Sequence, residues 1–207
     1  MTITARAALE RLREGNARFV SDAGRSRDRL GRSRGEAAAS QAPFAIVLGC
    51  SDSRVPVEIV FDQGFGDLFV IRVAGNIVAS SQVGSVEFAA ARFGTRLVVV
   101  LGHSACGAVL ATLDELRQPA GGQSRNLRSI VDRIRPAVEA LLTTELRHDP
   151  EALVRHAVRA NIRAAANQLR YGSSILEQLI QADGLVVVGA EYSLETGVVE
   201  FFDGAPD

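Results

Sequence analysis

No lysine occurs in the chain, and all 23 of its Lys/Arg positions are arginine. Schiff-base chemistry on a lysine amine is therefore excluded. Tryptophan is absent as well, and aromatic residues make up only 5% of the sequence. Neither sign of charge is in excess, since 23 basic residues face 24 acidic ones, which leaves no field to attract nucleic acid or a membrane surface. No stretch approaches the roughly 20 apolar residues that a membrane span requires. The opening Met1-Thr2-Ile3-Thr4-Ala5-Arg6 lacks the apolar run of a signal peptide, so a cytoplasmic location is expected. Cysteine is scarce too: there are two, Cys50 and Cys106. A disulfide could join them, but a reducing compartment and the nearby Asp52 and His103 favour a metal.

What the chain does hold is concentrated in two short motifs. Cys50-Ser51-Asp52-Ser53-Arg54 and His103-Ser104-Ala105-Cys106 contain both cysteines, one of the three histidines and a carboxylate. Each follows a continuous apolar run, Phe44-Ala45-Ile46-Val47-Leu48 or Leu97-Val98-Val99-Val100-Leu101, the pattern of strands buried on both faces of a parallel sheet. Each run ends in Leu-Gly before a candidate ligand, and glycine lets the chain turn sharply off a strand. Both sets of ligands are thus expected at the carboxyl edge of the sheet, where open α/β sheets bind ligands. Cys50 and Asp52, two apart, project to one side of an extended chain. His103 and Cys106, three apart, are neighbours if a helix begins there. Two thiolates, an imidazole and a carboxylate oxygen suit tetrahedral zinc(II). The alternative is two buried structural cysteines and a surface histidine. His148 and His156 have no cysteine or carboxylate in ligand register and read as surface residues.

The remaining pattern predicts one α/β domain over residues 1–207, with a mainly parallel sheet of about four strands, an added antiparallel C-terminal strand and flanking helices. Leu9, Leu12 and Phe19 recur at helical spacing, so residues 3–20 form an amphipathic helix whose apolar stripe needs a cover. Arginines recur from Arg25 to Arg34 among glycine, serine and aspartate. Residues 1–36 are accordingly expected to be an N-terminal helix and arm packing on a partner subunit. The arm lacks the interleaved aromatics of a nucleic-acid binder.

Strands are expected over 67–73, 185–189 and 198–201, the last two as a hairpin. Helices are expected over 56–61, 81–93, 108–116, 127–142 with a break near Pro136, 150–169 and 173–182. Asp149 before Pro150 is a helix-start signature, and Val154, Val158, Ile162, Ala165 and Leu169 form the buried stripe of the helix that follows.

The two motifs resemble the zinc-binding signature of the bacterial-type β-class carbonic anhydrases. The similarity continues through Phe61-Asp62-Gln63-Gly64, Asp67-Leu68-Phe69-Val70-Ile71-Arg72, Ala74-Gly75-Asn76, Gly84-Ser85-Val86-Glu87 and the closing hairpin, over nearly the whole chain. The resemblance implies one zinc per subunit, held by Cys50, His103 and Cys106, with the fourth position going to water or to Asp52. It implies a catalytic dyad in which Arg54 draws Asp52 off the metal, freeing the carboxylate to accept a hydrogen bond from water. The implied reaction is reversible hydration of carbon dioxide to bicarbonate and a proton by zinc-bound hydroxide, in a homodimer or homotetramer. The implied substrate contacts are Gln41, Phe69, Ala74, the backbone N–H of Gly107 and, from a neighbouring subunit, Phe88. Core roles for the two phenylalanines and a packing role for Gly107 are the alternatives. Some bacterial relatives also carry a regulatory bicarbonate pocket built from a tryptophan, an arginine and a tyrosine. Arg72 and Tyr192 match it here, but Val47 replaces the tryptophan, so an intact pocket is not expected.

Physical chemistry asks for such a dyad independently. Zinc with two thiolates and a neutral imidazole is formally neutral and acidifies water less than a tri-histidine site does. Hydrogen bonds around the ligands and a nearby guanidinium have to assist. Arginine offers a carboxylate a planar two-point clamp that lysine cannot match.

Rival readings remain open. A Cys-His hydrolase or thiol transferase would use His103 and Cys106 but leaves Cys50 and Asp52 without a task. A closed structural zinc module has no use for Arg54 beside its carboxylate. Hydrolysis of carbonyl sulfide or carbon disulfide fits the same ligands.

Overall fold

Two strands with no polar side chain in their interiors set the centre of the molecule. In the computed structural model, which describes residues 3–21, 38, 40–118 and 124–206, β1 (Ala45–Gly49) and β3 (Leu97–His103) are buried along their whole length. Such strands need cover on both faces. The sheet order is β2-β1-β3-β4-β5, where β2 is Leu68–Arg72, β4 is Val186–Tyr192 and β5 is Val199–Asp203. The first four strands are parallel, and β5 runs antiparallel to β4 with an irregularity at Gly189/Ala190. This is the expected architecture.

Side-chain alternation along β1 and β3 divides the core into two layers. Ile46, Leu48, Val98 and Val100 face one layer. It is covered by α3 (Ser80–Phe93), α4 (Gly107–Arg117), α5 (Arg125–Val138), α6 (Pro150–Tyr171) and α7 (Ser174–Ala182). Val47, Val99 and Leu101 face the other layer, with α1 (Ala5–Val20) and the one-turn α2 (Val57–Val60). α6 starts as expected, with the Asp149 side chain accepting from the Ala152 N–H at 2.9 Å. Pro136 does not break α5, which continues to Val138 before a 3-10 turn over Glu139–Thr143.

The N-terminal helix finds cover in its own chain. Leu9 and Leu12 are fully buried against Phe44, Val57, Val60 and Phe61 of the same subunit, so this part of the apolar stripe needs no partner. Burial of each leucine is worth about 1.5–3 kcal/mol. Asn16 locks the helix in place: its Nδ2 donates to the Val60 and Gly197 carbonyls, and its Oδ1 accepts from the Val199 N–H. Gly15 is required for the fit, since a Cβ there would run into the Phe61 carbonyl oxygen. The arginine-rich arm lies outside the described residues.

Gly102 also has a different reason from the expected one. It has no positive φ; a Cβ there would meet Ile162 Cδ1 of α6 at 2.5 Å. The glycine admits the helix to the sheet, and with it the side chains α6 brings to the site.

Candidate metal centre

The two motif loops leave the carboxyl ends of adjacent strands β1 and β3 and meet there. The Cys50 and Cys106 sulfurs and a ring nitrogen of His103 all lie within 4.8 Å of one another, and all three residues are buried. His103 Nδ1 lies 2.9 Å from the Ser104 carbonyl oxygen. With Nδ1–H donating to that carbonyl, Nε2 carries the lone pair. This nitrogen is buried with no hydrogen-bond partner, an arrangement that costs free energy unless something binds it. Both cysteines are free thiols.

The two sulfurs shift each other's ionisation in opposite directions. The hydrogen bond from Cys106 holds the Cys50 thiol below its ordinary range despite burial, helped by His103 and the Gly75 N–H. The same contact and then burial push the Cys106 thiol up. A cation is what allows both to be thiolates, and zinc–sulfur and zinc–nitrogen bonds of about 2.3 and 2.0 Å suit donors this close. The residues present therefore fit a metal ion.

The local routes differ from those expected. His103 ends β3, the chain turns through Ala105 in the left-handed region (φ 52°), and Cys106 caps α4. A tight turn, not a shared helix face, makes the two ligands neighbours. Ser104 anchors that turn to the end of β4: its N–H donates to the Tyr192 carbonyl, and its Oγ accepts from the Leu194 N–H, both at 3.0 Å. The first loop also turns, with the Val55 N–H donating to the Asp52 carbonyl, so Asp52 does not sit in extended chain.

Asp52 is not among the clustered ligands. Its carboxylate is clamped by Arg54, whose Nε–H donates to Oδ1 at 2.9 Å, Nη2–H to Oδ2 at 2.8 Å and backbone N–H to Oδ1 at 3.0 Å. Oδ2 lies 3.8 Å from His103 Nε2, beside the ligand set but turned to the guanidinium. The Arg54 side chain holds the carboxyl well below the usual carboxylate range. Of the four ligands expected from the sequence, three thus cluster and the fourth, Asp52, pairs with Arg54 in this conformation. Arg54 also lines an open cleft of about 940 Å³ with Ser104, Ala105, Val154, Arg155 and Glu195.

The expected substrate residues separate into two groups. Half-buried Ala74 sits beside Gly75, whose N–H donates to Cys50 Sγ at 3.3 Å. Gly107 opens α4 next to Cys106 with open space at its Cα. Both belong to the metal centre. Gln41 is exposed and precedes β1, whereas Cys50 follows it; a five-residue strand, roughly 17 Å long, separates it from its own chain's site. Phe69 pairs with Ile46, lower in the sheet than Arg72 opposite Gly49. Its ring packs on Phe88 and Phe93 of the same chain, with centroids 6.2 and 6.1 Å away. Phe88 thus meets Phe69 within one subunit, and the aromatic cluster reinforces the β2 edge.

Residues not foreseen complete the centre. Arg72, which the resemblance tied to a regulatory pocket, donates from Nε to the Cys50 carbonyl at 3.0 Å and from Nη2 to the Asp52 carbonyl at 2.6 Å. It holds the first loop. Tyr192 packs near Phe19 in the other layer, and Val47 is fully buried.

A family model described as carbonic anhydrase matches residues 45–199, which include Cys50, Asp52, Arg54, His103 and Cys106. The chain belongs to the β-carbonic anhydrases, a family of enzymes. Carbonic anhydrase 2 of Mycobacterium tuberculosis is 38% identical over 194 residues, covering 92% of this chain and 89% of that protein. Among solved structures, the β-carbonic anhydrase CafA of Aspergillus fumigatus is 25% identical with a TM-score of 0.74, over 97% of this chain and 91% of that one. A chain from two tetrameric β-carbonic anhydrases of Sordaria macrospora is 26% identical with a TM-score of 0.72, over 81% and 84%. Among the described residues, no helix is long and apolar enough to cross a membrane.

Proposed function

We propose that the chain catalyses the reversible hydration of carbon dioxide to bicarbonate and a proton, with one zinc ion held by Cys50, His103 and Cys106. The observation that carries this reading is a three-donor cluster whose neighbouring carboxylate is held aside by Arg54, leaving the fourth side for solvent. A closed structural site would engage a fourth protein donor. Zinc, when bound there, supplies a Lewis acid that brings the ionisation of water to near neutral pH.

The chain's own groups do the rest. Arg54 keeps Asp52 charged and turned from the ligands, so the carboxylate accepts a hydrogen bond from the reacting water and orients it. Oxygen then bonds to the carbon of carbon dioxide, a C–O π pair moves onto oxygen, and the proton passes to solvent or buffer. The Gly107 N–H, at the positive end of α4, faces developing negative charge. Ala74 supplies an apolar wall for an uncharged substrate.

We read the enzyme as a cytoplasmic homodimer or homotetramer. The exposed Phe88 beside edge strand β2 supports assembly. Phe69, Phe88 and Gln41 then serve carbon dioxide only across a subunit boundary. Stopped-flow hydration of carbon dioxide by protein of known metal content tests the proposal. Activity that tracks zinc supports it. Fully zinc-loaded protein that is inert to carbon dioxide but cleaves carbonyl sulfide overturns it.

A further inference from the structure

One buried amide connects helix α6 to a ligand sulfur. Asn161 is 3% exposed and lies between Val158 and Ile162 on the apolar face of α6. A polar side chain at such a position costs free energy unless it is hydrogen-bonded. Its Nδ2 donates to the Gly75 carbonyl oxygen at 2.8 Å. Gly75, at the centre of the 3-10 turn Ala74–Asn76, in turn donates its N–H to Cys50 Sγ at 3.3 Å.

The Asn76 N–H closes the turn on the Val73 carbonyl at 3.0 Å, and Asn161 holds the carbonyl side of that same peptide. Gly75 has φ 69°, a conformation in which glycine has no steric preference to resist rotation. The adjoining Asn76 Nδ2 adds no hydrogen bond, being buried without a partner. Packing leaves room for glycine alone: a Cβ at Gly75 would meet Ile134 Cδ1 at 2.8 Å and Ala108 Cβ at 3.0 Å.

We propose that Asn161 is a positioning residue for the metal centre, fixing the Gly75–Asn76 peptide and, through the Gly75 Cα, the neighbouring N–H that is aimed at the Cys50 sulfur. This rests on the reading of Cys50, His103 and Cys106 as a metal site. An N–H directed at a ligating thiolate withdraws electron density from sulfur and weakens its donation to the metal. The metal then remains a stronger Lewis acid than two unmodified thiolates would leave it. A residue on a helix away from the ligand loops would in this way set the acidity the reaction needs.

The test uses cobalt(II)- and zinc-loaded forms of the wild type, Asn161→Leu and Thr95→Val. Thr95→Val removes another buried side-chain bond to a carbonyl, from Thr95 Oγ1 to Pro43 at 2.7 Å, and serves as the control for lost stability alone. In Asn161→Leu the sulfur-to-cobalt charge-transfer band shifts to longer wavelength, and zinc passes to a competing chelator several-fold more slowly, because the sulfur donates more strongly. Thr95→Val lowers the melting temperature but leaves both readouts at wild-type values. Asn161→Ser gives the same two readouts should the leucine variant fail to fold. An Asn161 variant with wild-type band position and wild-type zinc transfer overturns the proposal. Wild-type protein that takes up no cobalt overturns the metal-site reading itself and this inference with it.

Discussion

Asp52 and Arg54 meet in a two-point contact, Nε–H to Oδ1 at 2.9 Å and Nη2–H to Oδ2 at 2.8 Å, although only one residue separates them in the chain. The turn at Asp52–Val55 makes this possible. Lysine has one ammonium in place of the planar fork. Arg54→Lys is therefore expected to lower hydration turnover about 10-fold or more while zinc content stays at one per chain, as measured by stopped-flow and metal analysis of the same sample.

Removing a ligand should act on the metal before it acts on turnover. Cys106→Ser is expected to lower zinc affinity by at least the roughly 10- to 100-fold that losing a ligand's hydrogen-bonding neighbour costs. Chelator competition reads this directly. Full zinc occupancy with wild-type affinity would remove Cys106 from the ligand set.

The pH dependence has a defined sign. The Arg54 side chain depresses the Asp52 carboxyl, so the pair's contribution is present above the ordinary carboxylate range and is lost as pH falls through the lower folded value. Asp52 is then ionised throughout the range from about pH 6 to pH 9, and a hydration rate rising over that range follows the ionisation of water. Stopped-flow rates in that window are expected to climb toward alkaline pH. A flat profile would contradict this.

Self-covering of α1 predicts a stability effect confined to the subunit. Leu12 is fully buried in the chain's own core, so Leu12→Ala should cost about 2–5 kcal/mol in urea unfolding without changing the mass seen by sedimentation. Loss of assembly with unchanged stability would instead place the helix on a partner.

Much of this was legible in the sequence because its signals are local. The apolar runs at Ala45–Gly49 and Leu97–His103 announce doubly buried strands, and the two motifs mark the cysteines and histidine that cluster at their ends. What escaped depends on contacts distant in the chain. The cover of Leu9 and Leu12 comes from Phe44 and Phe61, which no periodicity in α1 reveals. The strand-end Gly102 carries the same letter whether it turns the chain or admits Ile162. Asn161 was the one available clue to the buried relay, a polar residue interrupting an apolar stripe, and its partner lies 86 positions away. Arg72 could not be assigned to the first loop without knowing that β2 lies beside β1.

The central claim is that Cys50, His103 and Cys106 hold a catalytic zinc beside a carboxylate kept aside by Arg54. A crystal structure with anomalous data on both sides of the zinc edge tests it most directly. The expected result is one strong peak between the two sulfurs and His103 Nε2, with Asp52 on Arg54. A Cys50–Cys106 disulfide, or a peak at any other place, would contradict it.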